Sequence, residues 1–123
     1  MAFLTNRKRT MGLGSANKGT DHHWAMTVSS FGLLFLVPLF VFTFGPMLGK
    51  PHPEVLAYFS RPFPAIVAAL TIAVGFMHFK KGAQVMIEDY SDGLTRKVLI
   101  LCVISLSYAA AATGLLAIVR IAI

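Results

Sequence analysis

The side chain with the clearest capacity for chemistry in this sequence is a histidine within a long apolar run. His78 is the sole ionisable residue of the stretch 63–79, FPAIVAALTIAVGFMHF. An ionisable group in such a stretch is costly in lipid, and by default it marks a functional site that faces the interior of a helical bundle. An imidazole nitrogen can ligate a metal, exchange a proton or hydrogen bond to a neighbouring helix. The position of His78 therefore predicts a site between helices.

Two glycines lie on the same helical face as this histidine. At about 100° per residue, the directions of Gly75 and Gly82 fall within about 60° of the His78 direction, as do those of Val85 and Asp89. Glycines leave such a face flat, so a planar macrocycle could approach the backbone while the imidazole ligates its iron. The same glycines would also allow two helices to pack closely. The spacing leaves both interpretations open, and a second axial histidine would have to come from another chain.

An acidic and a phenolic side chain follow on the same helix. Asp89 lies eleven residues after His78, which is about 16 Å along that face, and Tyr90 comes next. Groups of this kind at a helix end could support proton transfer to a redox carrier. They could equally mark the edge of the lipid, where tyrosine is enriched. From the residues alone we favour the second interpretation.

Two adjacent histidines precede the first apolar run, in the sequence Asp21-His22-His23-Trp24. Neighbouring positions on a helix point about 100° apart, so these imidazoles are poorly placed to chelate one metal ion. We expect Trp24 to anchor the helix at the membrane interface, and the two histidines are candidates for contact with an anionic group. The single Cys102 lies inside an apolar run and can form no internal disulfide.

The composition indicates the elements that must position these side chains. Hydrophobic residues make up 56% of the 123 residues and charged residues only 13%, too few to cover the surface of a small soluble domain. Three runs, 25–44, 63–79 and 98–119, contain no Asp, Glu, Lys or Arg, and the first reaches about 30 Å as a helix, the thickness of the hydrocarbon core. The helical pattern of the second run continues past Lys80 and Lys81. We expect spans at 25–44, 63–87 and 98–120, and hence an all-α membrane protein whose three transmembrane helices form part of a heteromeric helical bundle. The first run is too long for a cleaved signal peptide, so we expect it to be retained.

The segments between the spans carry helix-breaking residues. The sequence 45–64, GPMLGKPHPEVLAYFSRPFP, is rich in proline and glycine and cannot form one continuous helix. Between the second and third spans, Ser91 or Asp92 is expected to cap the third helix by accepting hydrogen bonds from its first backbone N–H groups.

The distribution of basic residues predicts an orientation. The net charge is +6, and the basic clusters flank apolar runs, which favours membrane orientation and argues against nucleic-acid binding. The positive-inside rule places the tail 1–24 and the second loop on the cytoplasmic or matrix side, with the C-terminus on the periplasmic or intermembrane side. The 25–120 region is then the anchor domain. The basic residues predicted on the cytoplasmic or matrix side are Arg7, Lys8, Arg9, Lys18, Lys80, Lys81, Arg96 and Lys97. Those predicted on the opposite side are Lys50, Arg61 and Arg120.

The stretch 78–90, HFKKGAQVMIEDY, resembles the D-type hydrophobic anchor subunits of succinate dehydrogenase, or complex II. The matching features are a histidine, a glycine four residues later and an Asp-Tyr pair eleven and twelve residues later. The position of the motif at the end of the second of three spans is also similar, and so are the chain length and the His23-Trp24 pair. One feature differs, because the family often has an arginine early in the first span and 25–30 contains none.

The resemblance implies a role for each matching residue. His78 corresponds to an axial ligand of haem b whose other ligand is a histidine of the sister cytochrome b anchor subunit. Tyr90 corresponds to a phenol that hydrogen bonds ubiquinone, and Asp89 to a carboxylate that supports proton delivery there. Gly75 and Gly82 would pack against the haem.

The first span and the partners follow from the same resemblance. His23 is a candidate contact for a haem propionate. Without the arginine, either Thr27, Ser29 or Ser30 takes over its contact together with the sister chain, or the propionates bind differently. The resemblance also implies an iron–sulfur subunit, a flavoprotein subunit, membrane lipid around the helices, and a bacterial or mitochondrial inner membrane. The complex would transfer electrons from succinate to quinone, and the chain alone would not be catalytic.

Two other classes of function remain as alternatives. A purely structural anchor or assembly subunit would hold no haem, and changes at Asp89 or Tyr90 would then leave quinone reduction unaffected. A small transporter subunit could use His78 and Asp89 as a proton relay. The transporter hypothesis gives the two glycines beside His78 no role.

Overall fold

The computed structural model describes residues 5–12 and 19–123. Residues 1–4 and 13–18, which belong to the predicted tail and include Lys18, lie outside the described residues. Within the described ranges the chain is helical throughout its regular elements, as the sequence predicted, and has no strand. In chain order the elements are α1 (Asn6–Met11), α2 (Gly19–Phe44), a 3-10 turn (Gly45–Met47), α3 (His52–Phe59), α4 (Pro62–Tyr90) and α5 (Gly93–Ala122).

Three of these helices are long and apolar enough to cross a membrane, so the chain is an integral membrane protein. They are α2 together with the 3-10 turn, at 29 residues, α4 at 29 residues and α5 at 30 residues. At about 1.5 Å per residue each extends about 44 Å, which exceeds the roughly 30 Å of a hydrocarbon core. Each predicted span lies inside one of the three helices. The helices are longer than the apolar runs because polar residues at their ends continue the helical backbone.

Helix α4 lies between α2 and α5 and packs against both, in an up-down-up arrangement. On one side, a Cβ placed at Gly32 of α2 would lie 3.6 Å from Val74 of α4. On the other side, a Cβ placed at Gly114 of α5 would lie 3.2 Å from Ile72 of α4. Small residues therefore allow the close approach of the helices, as is common in membranes.

The connection between α2 and α4 contains a 3-10 turn and one short helix. The 3-10 turn Gly45–Met47 ends α2, and Gly49 adopts a positive φ of 76°, a conformation that glycine tolerates. Helix α3 then packs against α4 and α5. Its Phe59 is only 5% exposed and contacts the ring of Phe44 at 6.1 Å between centroids. The proline-rich segment is thus broken, as predicted, and its short helix closes one end of the bundle.

The junction between α4 and α5 differs in one detail from the sequence prediction. Asp92 occupies the N-cap position of α5, but its side chain makes no capping hydrogen bond. Its carboxylate instead accepts a hydrogen bond from the Arg96 guanidinium at 2.6 Å. The expected cap position was correct and the expected capping bond was wrong, because a charge-assisted bond to an arginine competes with the neutral backbone N–H groups.

The outer faces of the three helices are strongly apolar. Few side chains of the described residues are buried, and many large apolar side chains are exposed on all three helices, for example Phe31, Phe35, Phe42, Phe63, Met77, Leu101 and Leu106. In water such a surface would drive association, so it is suited to lipid or to the helices of another chain.

Candidate functional site

The histidine singled out in the sequence lies at the contact between α2 and α4. His78 is half-buried, and its Nδ1 atom lies 2.9 Å from the hydroxyl oxygen of Ser29 on α2. The Ser29 hydroxyl also lies 2.9 Å from the backbone carbonyl oxygen of Met26, one turn earlier on its own helix. His78 therefore faces a neighbouring helix, as the cost of exposing an imidazole to lipid predicts.

A groove opens beside this contact toward the start of α2. It has a volume of about 430 Å³ and is lined by Gly19, His22, His23, Met26, Gly82 and Val85. The Nε2 atom of His22 is buried and has no hydrogen-bond partner among the described residues. A buried polar atom without a partner is costly, so His22 has an unfilled capacity to bind a polar group. His23, which the sequence favoured, is exposed on the same groove.

The two glycines of the predicted flat face have different surroundings. A Cβ at Gly82 would meet the flexible end of Met26 at 3.7 Å, whereas a Cβ at Gly75 would meet nothing within 4 Å. Gly82 shares the groove with the two histidines. Gly75 lines a separate groove of about 370 Å³ together with Phe40 and Phe79. Both glycines therefore border open space along α4, but they do not line one groove.

Asp89 and Tyr90 lie at the C-terminal end of α4 and do not line this groove. Tyr90 is 86% exposed, and Asp89 is exposed as well. Neither side chain is buried in the bundle, and α4 ends at Tyr90. Their side chains are available to a ligand or to another chain at that end of the molecule.

A second polar contact, which the sequence reasoning did not identify, joins α4 to α5. The Lys80 ammonium donates a hydrogen bond of 2.7 Å to the Tyr108 hydroxyl and lies 4.4 Å from the centre of its ring. The two residues line a cleft of about 190 Å³ that also contains Ser107. The sequence analysis used Lys80 only to predict membrane orientation and did not identify Tyr108 as a candidate. The spacing of residues within one helix does not determine how that helix is rotated against its neighbour, so this contact could not be predicted.

The donor atoms of the site are compatible with a haem, and Gly82, one turn after His78, borders a groove of about 430 Å³. With Nδ1 of His78 bonded to Ser29, Nε2 is the nitrogen left for a metal. The glycines leave room beside α4, and His22 offers a buried atom to an anionic group. No group of three or more His, Cys, Asp or Glu side chains within residues 5–12 and 19–123 is arranged to hold a metal ion. A haem would not require such a group, because the macrocycle supplies most of the iron's ligands and this chain would have to supply one imidazole, that of His78.

Comparison with known proteins places this sequence in a family. The family model described as the succinate dehydrogenase/fumarate reductase transmembrane subunit matches residues 1–117. The succinate dehydrogenase hydrophobic membrane anchor subunit of Paracoccus denitrificans is 46% identical over 120 residues, which cover 98% of this chain and 93% of that protein. No solved structure matches the chain. The chain belongs to the family of succinate dehydrogenase/fumarate reductase transmembrane subunits.

Proposed function

We propose that this chain is the membrane-anchor subunit of a succinate:ubiquinone oxidoreductase. In that role it holds the flavoprotein and iron–sulfur subunits at the membrane and contributes to the binding of haem b and ubiquinone. The extent of the similarity to a hydrophobic membrane anchor subunit supports the anchoring role. The observation that carries the haem assignment is the half-buried His78, held at Nδ1 by Ser29 beside a glycine-bordered groove.

His78 is the proposed axial ligand of haem b, and the sister cytochrome b anchor subunit supplies the second histidine. Gly82, which shares its groove with His22 and His23, gives the macrocycle access to the backbone of α4, and one of these two histidines contacts a propionate. Gly75 packs against the haem from the separate groove that it lines. When bound, haem b supplies a one-electron carrier within the membrane. The exposed apolar faces of the three helices leave a surface for the sister chain and for lipid.

Tyr90 and Asp89 form the proposed ubiquinone contact at the end of α4. The Tyr90 hydroxyl donates a hydrogen bond to a quinone carbonyl, and Asp89 supports the delivery of protons to the reduced ring. Quinone reduction consumes two protons, so the groups that deliver them need access to water. The exposure of both side chains supports this role. The distribution of basic residues supports a cytoplasmic or matrix location for this end of the helix.

A visible difference spectrum tests the haem assignment. The whole complex is purified in mild detergent through a tag on this chain, and its dithionite-reduced spectrum is compared with the oxidised one. We expect a b-type haem signal in the wild type and its loss or shift in His78→Leu. His52→Leu is the matched control, because His52 is exposed on α3 and makes no contact with the groove. An intact complex without a haem signal would leave a haem-free anchor as the function.

A further inference from the structure

The hydroxyl of Ser29 lies between two hydrogen-bonding atoms on different helices. Its oxygen is 2.9 Å from Nδ1 of His78 and 2.9 Å from the carbonyl oxygen of Met26. Both Ser29 and His78 are half-buried, so bulk water competes weakly for these bonds. The neighbouring Ser30 also donates to the Met26 carbonyl at 2.9 Å, but it is exposed and has no bond to His78.

The number of protons limits how these atoms can bond. A serine hydroxyl has one proton to donate and two lone pairs to accept with. The Met26 carbonyl can only accept a hydrogen bond. When the Ser29 hydroxyl donates its one hydrogen bond to that carbonyl, it presents a lone pair to His78. The imidazole then carries its proton on Nδ1, and its Nε2 keeps a free lone pair. A metal-ligating histidine commonly donates its other ring N–H in this way, which fixes its tautomer and orientation.

We propose that Ser29 is a positioning residue for the haem ligand. Ser29 accepts a hydrogen bond from the Nδ1–H of His78, donates its own O–H to the Met26 carbonyl, and so leaves Nε2 of His78 to the iron. This inference rests on the proposed function, because it requires that His78 ligates haem. The bond also has an electronic consequence. An acceptor at Nδ1 raises the basicity of the ligating nitrogen, and a more basic ligand stabilises ferric iron relative to ferrous iron.

The test is a redox titration of the haem in the intact complex carrying Ser29→Ala. We expect the haem to be retained and its midpoint potential to shift to a more positive value, because the weaker donor no longer favours ferric iron. The low-spin ferric EPR spectrum, which responds to the donor strength of the imidazole, shifts with it. Ser29→Thr keeps the hydroxyl and is expected to keep the potential and the spectrum near those of the wild type. Ser30→Ala is the matched control and is expected to change neither.

The outcomes separate this inference from the proposed function. A Ser29→Ala complex that contains haem with the wild-type potential and EPR spectrum overturns the inference and leaves haem ligation by His78 intact. If Ser29→Ala loses the haem, Ser29→Thr decides. Haem at the wild-type potential in Ser29→Thr supports the role of the hydroxyl, whereas loss of haem there too shows that the site requires only the size of serine. A wild-type complex without haem overturns the proposed function itself, and the inference with it.

Discussion

The residues with chemical capacity fall into two environments on one helix. His78 is half-buried against α2, where its ring is held by a hydrogen bond. Tyr90 is 86% exposed at the end of the same helix. A metal ligand benefits from a fixed ring and from low access for water, whereas a group that exchanges protons with water benefits from exposure. The two environments therefore match the two roles that we propose.

The proposed quinone contact leads to a prediction at Tyr90. Tyr90→Phe removes the hydroxyl and keeps the ring, so we expect succinate:ubiquinone reductase activity to fall by about tenfold to a hundredfold, corresponding to about 1.4–3 kcal/mol of lost transition-state stabilisation. Electron transfer from succinate to a soluble dye that accepts electrons from the peripheral subunits should be unchanged. Steady-state assays of both activities on the same preparation measure this difference.

Tyr58→Phe provides the control for the loss of a phenol. Tyr58 lies on α3, where its ring packs edge-on against Phe59, and the change preserves that contact. We expect both activities of Tyr58→Phe to equal those of the wild type. Equal quinone reductase activity in Tyr90→Phe and Tyr58→Phe would remove Tyr90 from the quinone site.

At the scale of the elements, α4 carries the proposed functional residues and also packs against both other long helices. Its contacts with α5 combine the close approach of Gly114 to Ile72 with the hydrogen bond from Lys80 to Tyr108. Interhelical hydrogen bonds in membranes contribute about 1 kcal/mol, and close packing contributes through dispersion. The position of His78 relative to α2 therefore depends on how α4 is held from its other side.

The close approach at Gly114 leads to a second prediction. In Gly114→Ala the new Cβ would lie 3.2 and 3.3 Å from atoms of Ile72, so that side chain must move. Overpacking of this kind costs about 1–3 kcal/mol, which exceeds the roughly 0.5–1 kcal/mol that alanine gains over glycine inside a helix. We therefore expect the complex to lose its haem signal at a lower temperature than the wild type. Gly45→Ala is the matched control, since a Cβ there meets nothing within 4 Å.

A double substitution tests the cause of that loss. Ile72→Val removes a methyl group from the side chain that Gly114→Ala crowds. We expect the double variant to lose less thermal stability than the two single variants lose together, because the smaller side chain relieves the crowding. Additive losses in the thermal transitions would show that Ile72 is not the origin of the destabilisation.

At the scale of the whole molecule, the antiparallel helices bring charged segments of distant sequence to the same end. The start of α2, the end of α4 and the start of α5 lie together, because Ser29 contacts His78 and Lys80 contacts Tyr108. The basic residues Arg96 and Lys97 belong to this end, whereas Lys50 and Arg61 belong to the other. The positive-inside rule then predicts that the first of these ends faces the cytoplasm or matrix.

Cysteine labelling checks this orientation. In a Cys102→Ser background, Thr5→Cys marks the tail and Ser60→Cys marks the opposite end, and both positions are exposed. We expect a membrane-impermeant maleimide to label Ser60→Cys in spheroplasts and Thr5→Cys in inverted membrane vesicles. Labelling in detergent serves as the control that each cysteine is reactive. The reverse pattern would place the predicted quinone end on the opposite side of the membrane.

The sequence by itself determined the elements and the identity of the candidate residues. Uncharged runs of about 20 residues can satisfy their backbone groups in lipid only as helices, so the three helices followed from composition alone. The spacing within residues 75–90 was sufficient to place a histidine, two glycines and an acidic residue on one helical face, and the ligand role of the histidine was implied only by the family resemblance of 78–90. These properties depend on the periodicity of a single helix, which the sequence contains in full.

Only the tertiary structure decided which side chains of different helices meet. The rotation and register of α2 against α4 are determined by packing across both helices, and the spacing within either helix does not specify them. For that reason the sequence could not pair Ser29 with His78, nor Lys80 with Tyr108. For the same reason it could not show that His22 has the buried atom while His23 is exposed, because adjacent residues on a helix face different neighbours.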